Sequence, residues 1–281
     1  MKLKTEAFEA LERLFTITYE HGLDEAINQG LQPRVYHYTN AAGLLGILTT
    51  RTLWATHFAY LGDHSEPTYG IKRIEKHLIR TKNPFKTAFL LGSPQNSIQT
   101  RFVACFCEQD DLLGQWRGFS QLHDGCAIEF DSRALALSSK SFGFIRLIYD
   151  PDAQDNHIAV AVSKATDLLK EYRHLNAKEF AVVEHAASGL VYLAAIALKA
   201  PPFQSEKEWR LVSYESNVSE RFRLAQGQFI PYVPIPFRRS VITAIRQVPG
   251  QYRELNLEAI RRFATTQGFK TLSTAKSAIP M

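Results

Sequence analysis

His37 lies in the run Val35-Tyr36-His37-Tyr38-Thr39, whose aromatic and branched residues read as a β-strand. Strand side chains alternate, so His37 and Thr39 share the face opposite Tyr36 and Tyr38. With the two tyrosines in a core, that face meets a cleft. There an imidazole and a hydroxyl can hydrogen-bond a sugar hydroxyl. The competing reading is a histidine that holds backbone at a strand end. A second constellation is Glu206, Glu208 and Arg210, spaced at period two into the strand Trp209 to Tyr214. Neighbouring carboxylates raise one another's pKa, and Arg210 opposes that shift. A carboxylate of this kind suits stabilising positive charge at a sugar carbon, or orienting or deprotonating an acceptor. A plain Glu–Arg ladder explains the spacing equally well.

Other residues carry weaker signals. Asp63 and Glu66 are three apart and share a side of a helical turn, where they can bind a metal, cap the helix or hold an arginine. Arg117 offers a planar fork for phosphate or carboxylate, and Trp116 beside it reads as core or cleft wall. Asp110 and Asp111 fall in the preceding loop, and Gln115 can read a polar ligand or cap a turn. Cys105 and Cys107 share one face of a strand, with Cys126 nearby. Their spacing lacks the usual gap of a zinc site, so free thiols and no metal are expected. Dinucleotide and P-loop glycine fingerprints, the Gly-x-Ser-x-Gly elbow and His-Glu-x-x-His are absent, which argues against the enzyme classes they mark.

The elements that must position these residues follow from periodicity and breakers. Helices are expected over Lys4 to Glu20, to just before Gly30, through Leu44 to Leu48 with Thr39 or Asn40 as cap, from Asp63 or Ser65 to Leu78, over Asp155 to Tyr172, Ala177 to Lys199 and Leu255 to Thr266. Strands are expected at Val35–Thr39, Leu53–Ala55, Phe102–Cys107, Cys126–Phe130, Phe144–Tyr149, Trp209–Tyr214, Gln228–Val233, Ser240–Val248 and near Thr271, and Asn83 to Thr100 reads as loop. Strand and helix do not alternate regularly, so the expected class is α+β, with a mixed or antiparallel sheet core and flanking helices. The organisation expected is a helical extension, 1–34, and one domain, 35–281, with a helical insertion near 155–199.

The 281 residues include 45% hydrophobic and 22% charged types, with 18 Phe, 11 Tyr and 3 Trp, enough to exclude global disorder. Three cysteines make no disulfide framework. From Glu220 onward ten Lys or Arg face three acidic residues, against 23 and 25 before it. That basic third is either an ordinary solvated surface or a surface for phosphates of a nucleotide or nucleic acid. The N-terminus has no signal-peptide core, and the most apolar run, Ala186 to Leu198, is short enough to read as a buried helix. The expectation is a cytoplasmic protein with no membrane partner.

Several segments are informative together: Tyr36-His37-Tyr38-Thr39 with Gly43 to Leu48 and Leu53-Trp54-Ala55; Tyr60 to Glu66; Cys105 to Glu108, Leu112 to Phe119 and Gly125 to Phe130; Phe203 to Val212; and the closing Ser277-Ala278-Ile279-Pro280. This series resembles the bacterial DUF2971 family of uncharacterised proteins from about Val35 to the end, departing from it at Gly62, where an asparagine is expected. More loosely, the Tyr-His-x-Thr strand, the helix ending in Ile47-Leu48 and the short strand after it look like the opening of ADP-ribosyltransferase-like proteins. That resemblance implies an ADP-ribosyltransferase-like fold and NAD as a substrate. It implies His37 on the nicotinamide ribose, Glu208 or Glu206 as the transfer glutamate, and Tyr60 or Phe119 stacked on nicotinamide. Thr39 and Arg117 complete the expected NAD-binding set through their own chemistry. The function expected is ADP-ribosyl transfer to a nucleic-acid or protein acceptor, in a toxin or phage-defence setting, with an antitoxin or regulatory protein as partner. Two alternatives stand beside it. One is a non-catalytic module sensing a nucleotide or partner. The other is a metal-dependent nucleic-acid-processing enzyme using Asp63, Glu66, Glu206 and Glu208.

Overall fold

The structure, a computed structural model, describes residues 26–61, 66–83, 101–119, 125–138, 141–213, 219–225, 227–248 and 253–279. The helix expected over Lys4 to Glu20, the segment from Pro84 to Thr100, and Asp63 lie outside them. In chain order the elements are β1 (Arg34–Asn40), α1 (Ala41–Thr50), β2 (Thr52–His57), α2 (Glu66–Arg80), β3 (Phe102–Cys107), α3 (Leu113–Phe119), β4 (Gly125–Asp131), α4 (Ser132–Ser138) and β5 (Phe142–Arg146). They continue with α5 (Pro151–Glu171), α6 (Ala177–Ile196), β6 (Glu208–Ser213), β7 (Arg221–Ala225), β8 (Gln228–Pro236), β9 (Ile242–Gln247), α7 (Arg253–Thr266) and β10 (Ser273–Lys276).

The class is α+β. Ten strands join in one sheet with the order β10-β9-β4-β1-β3-β2-β8-β7, while β6 pairs with β3 and carries β5. The ladder β9–β10 is parallel, and β1–β3, β1–β4, β4–β9, β3–β6, β5–β6, β2–β8 and β7–β8 are antiparallel. Helices α1, α3 and α4 pack on the sheet around β1, β4 and β5.

Branching of the sheet occurs at β3. Strand β6 takes one of its edges over Val103 to Cys107, so β1 and β2 share the other. On that edge β1 meets β3 at a single pair, Tyr36 with Cys107, and then leaves it. Asn40 ends β1 and caps α1 by accepting a 2.8 Å bond from the Gly43 amide, the role expected of Thr39 or Asn40. Helix α1 lies close to what precedes and follows it. A Cβ on Gly43 would stand 2.0 Å from Thr39 Oγ1, and one on Gly46 3.2 Å from the Trp54 ring.

The chain divides into two compact units, the sheet unit within Ala26–Thr56, Phe102–Arg146 and Ser205–Met281, and a helical unit within His57–Arg101 and Leu147–Gln204. In the helical unit Asp150 and Pro151 start α5, and Asn176 caps α6 through the amides of Lys178 and Glu179. Helix α6 is long and apolar enough to cross a membrane by length and composition. Here it is a core helix, with Val183, Ala187, Val191 and Tyr192 buried and with α5 and α2 packed against it. Gln154 is wholly buried and fully used, accepting from Tyr69 Oη at 2.9 Å and donating to the carbonyls of Ile148 and Lys199.

Helices α2 and α6 meet at Gly70, where an added Cβ would stand 2.2 Å from the Ala195 carbonyl oxygen. Backbone cannot swing aside as a side-chain tip can. Gly70→Ala is expected to cost about 1–3 kcal/mol through overpacking, read from urea denaturation. Gly114→Ala, where an added Cβ meets nothing within 4 Å, should leave the midpoint unchanged or slightly raised.

Sequence and structure differ at several elements. Helices α3 and α4 and strand β7 were not anticipated. The strand expected at Phe144–Tyr149 forms two residues earlier, and Ile148 instead makes an isolated parallel bridge to Leu198. The terminal strand begins at Ser273 rather than near Thr271.

Candidate functional site

His37 occupies the point where β1 departs from β3. Its Nδ1 lies 2.9 Å from the Cys105 carbonyl oxygen. A carbonyl can only accept, so Nδ1 carries the proton and Nε2 is left as an acceptor. The ring packs against Phe106, with centroids 5.8 Å apart. Burial pushes the imidazole below its ordinary pKa; the bond to Cys105 opposes that, and the positive charge of Arg223 adds to it. His37 is therefore neutral at neutral pH, with Nε2 unpartnered among the described residues. Thr39 lies on the same face of β1, as expected, with its hydroxyl against α1 at Gly43.

Arg223 was not anticipated as a site residue. It comes from β7, an edge strand whose neighbouring side chains Phe222 and Leu224 are exposed. Its own side chain is half-buried. Nη2 donates to Thr56 Oγ1 at 3.0 Å, and the guanidinium stands 5.8 Å from the centre of the Trp54 ring, which in turn tilts against Tyr232 at 5.0 Å. Among the described residues its Nε–H is buried without an acceptor. The only sequence signal is the alternation Arg221-Phe222-Arg223-Leu224, which fits a strand with one basic face.

The glutamates behave differently from the expectation. Tyr36, Cys107 and Glu208 form one cross-strand row, because Cys107 pairs with both of the others. Paired residues point to the same face, so Glu208 shares the face of Tyr36, and His37 points to the opposite one. The structure thus does not bring His37 and Glu208 together. Glu208 is only 5% exposed and accepts a 2.7 Å bond from Nε of Arg210, itself 1% exposed. The expected sharing of a face holds for Glu208 and Arg210 but not for Glu206. Glu206 ends a 3-10 turn, and Lys207 follows with φ 43°, in the left-handed region, which breaks the strand alternation.

The remaining residues are placed as follows. Tyr60, 41% exposed, sets its ring edge-on to His57 in the helical unit. Glu66 pairs with the buried Lys199 at 2.7 Å. Arg117 is exposed on α3, and Phe119 ends that helix with its side chain outside the described residues. Trp116 is wholly buried, edge-on to Tyr38 at 4.7 Å, and its indole donates to Asp111 Oδ1 at 2.8 Å. Asp111 also accepts from Ser277 Oγ at 2.6 Å and the Ala278 amide at 2.7 Å, while Asp110 pairs with Arg246 at 2.6 Å. Asp111 thus fastens the C-terminal Ser277-Ala278 segment to the core. Cys105 and Cys107 share the Tyr36 face, while Cys126 pairs with Thr39 and points the other way. Among the described residues no group of three or more His, Cys, Asp or Glu is placed to hold a metal ion.

Residues 115–211 match the DUF2971 family, described as a protein of unknown function. That span runs from α3 to β6. It includes Trp116, Arg117, Glu208 and Arg210 but not His37, and is narrower than the resemblance read from Val35 onward. No curated protein and no solved structure matches the chain.

Proposed function

We propose that the protein binds a nucleotide at His37, with NAD as its ligand, and that the reaction served is ADP-ribosyl transfer on an ADP-ribosyltransferase-like fold. One observation carries the reading: His37 is fixed by the Cys105 carbonyl so that Nε2 is an acceptor, with the Arg223 cation in electrostatic range. An acceptor nitrogen beside a cation suits a ribose hydroxyl next to a phosphate. In the transfer, the bond between the ribose C1' and nicotinamide breaks, and nicotinamide leaves with the electron pair. The acceptor's nitrogen or oxygen bonds to C1' and gives its proton to water. The acceptor is a nucleic acid drawn by the basic C-terminal third, or a protein, and the setting is a cytoplasmic toxin or defence system.

A second reading, a nucleotide-sensing module without turnover, is favoured by Glu208, which is held by Arg210 on the face away from His37. Release of nicotinamide from NAD, measured with and without DNA, RNA and lysate as acceptors, separates the two. Under the transfer reading His37→Ala lowers release by about 2-fold to 10-fold, the range for losing a neutral hydrogen bond in a bound complex. Binding through Nε2 needs the neutral ring. Its depressed pKa predicts NAD binding flat across neutral pH and lost only on the acid side of the ordinary histidine range. NAD binding without release supports the sensor. Absence of NAD binding to the folded wild-type protein would sink both.

A further inference from the structure

Arg223 poses a problem that nucleotide binding at His37 does not by itself solve. A guanidinium taken largely out of water is normally paired with a carboxylate, because burying the charge alone is costly. Arg223 makes one hydrogen bond, to a neutral hydroxyl, and rests on an aromatic ring. No carboxylate pairs with it among the described residues, and its Nε–H has no acceptor. Its positive charge acts on His37, which burial already holds neutral. The strand supplies no structural reason for this placement: Arg221, two residues earlier on the same face, stays in water.

The surroundings are those of a binding subsite. Trp54 provides a flat wall that tilts against Tyr232 and lies close to Gly46 of α1, the glycine leaving room for the ring. Thr56 orients the guanidinium without neutralising it. An arginine held in one orientation, charged and without a carboxylate partner among the described residues, is matched by the paired oxygens of a phosphate. We infer that Arg223, positioned by Thr56 and Trp54, is the subsite for the diphosphate of a nucleotide whose ribose is read by His37. The inference rests on the nucleotide reading above, and it adds the group that makes the ligand a phosphorylated nucleotide rather than a nucleoside.

The test is calorimetric titration of ADP-ribose, adenosine and inorganic pyrophosphate into the full-length wild-type protein and its Arg223→Met, Arg223→Lys and His37→Ala variants. Wild type should bind ADP-ribose more tightly than adenosine. Arg223→Met should weaken ADP-ribose by about 10-fold to 100-fold, the range for losing a charged hydrogen bond, and leave adenosine unchanged. Arg223→Lys should fall between, since it keeps the charge but loses the fork. His37→Ala should weaken ADP-ribose. The melting temperature of Arg223→Met should be unchanged or raised, because the substitution removes a half-buried charge that no carboxylate pairs with; a purely structural arginine would lower it. If Arg223→Met keeps the preference for ADP-ribose while His37→Ala weakens binding, the subsite is wrong and the nucleotide reading survives. If wild type binds pyrophosphate in an Arg223-dependent way but neither ADP-ribose nor adenosine, the anion site stands and the nucleotide reading falls. If nothing binds, both fall. Competition of pyrophosphate with ADP-ribose on wild type gives an answer even if the variant does not fold, and simultaneous binding of the two would overturn the inference.

Discussion

Arg210→Met is expected to destabilise the protein by about 3–5 kcal/mol, the usual consequence of removing one partner of a buried ion pair. Strand β6 is buried along its whole length, so Glu208 loses its bond from Arg210 in a nearly dry setting. Glu208→Gln alone should also be destabilising, because it weakens the bond that the carboxylate accepts from Arg210 Nε. The double variant, Glu208→Gln with Arg210→Met, should recover much of the loss, since two neutral side chains of similar shape no longer require each other. Urea denaturation of the four proteins forms a thermodynamic cycle. Additive losses would show that the pair is not what holds the two groups in place. The cycle also bears on chemistry. If Glu208 serves turnover, Glu208→Gln must lower nicotinamide release at temperatures where it is fully folded. If its task is to balance Arg210, release follows the folded fraction alone.

Asp111→Ala is expected to cost about 3–4 kcal/mol, from the loss of charge-assisted bonds and the orphaning of a buried indole N–H. One carboxylate gathers Trp116, Ser277 and the Ala278 amide, so its removal loosens the core around Tyr38 and Trp116 and the C-terminal segment together. Limited proteolysis near Ser277 and the fluorescence of Trp116 should change in the same variant. Intact termini with unchanged fluorescence would contradict this account. Burial alone would raise the Asp111 carboxyl, but the bonds from Ser277, Trp116 and Ala278, with the Arg246 charge, outweigh it and hold the group below the ordinary aspartate value. The folded state therefore binds this proton more weakly than the unfolded chain. The stabilisation is present above the ordinary aspartate pKa and is lost as pH falls through and below it. Asp111→Asn should flatten that acid limb of the stability profile.

The elements most legible in the sequence are those whose pattern is set by their own residues. Strand β3, Phe102–Cys107, shows as an unbroken β-forming run, and Asn40 as a cap beside an apolar helix. Strand β7 was hidden because its residues follow the opposite rule: Phe222 and Leu224 are exposed, and the inward residue is an arginine. Helices α3 and α4 are seven residues each, too short for a periodic signal, and α3 carries two glycines. The placement of His37 on a strand, on the face of Thr39, could be read directly. Its bond to Cys105 and its neighbour Arg223 could not, since both depend on which strands adjoin the branch at β3. The common face proposed for Glu206 and Glu208 failed at a single torsion, φ of Lys207, which no residue type announces.

The order of strands in the sheet has a consequence for how the chain is made. Strand β1 needs β4, β3 needs β6, and β2 needs β8, so each early strand waits for a partner far downstream. The Trp116 pocket waits longer still, for Ser277. Polypeptides emerge from the ribosome at about 5–20 residues per second, so β2 is exposed for roughly 9–36 s before β8 can reach it. During that time a nascent chain presents an apolar strand edge, the kind of surface that pairs with other chains. Production of folded protein should therefore depend on chaperones that cover this edge, and a variant stable once folded can still fail at this earlier stage.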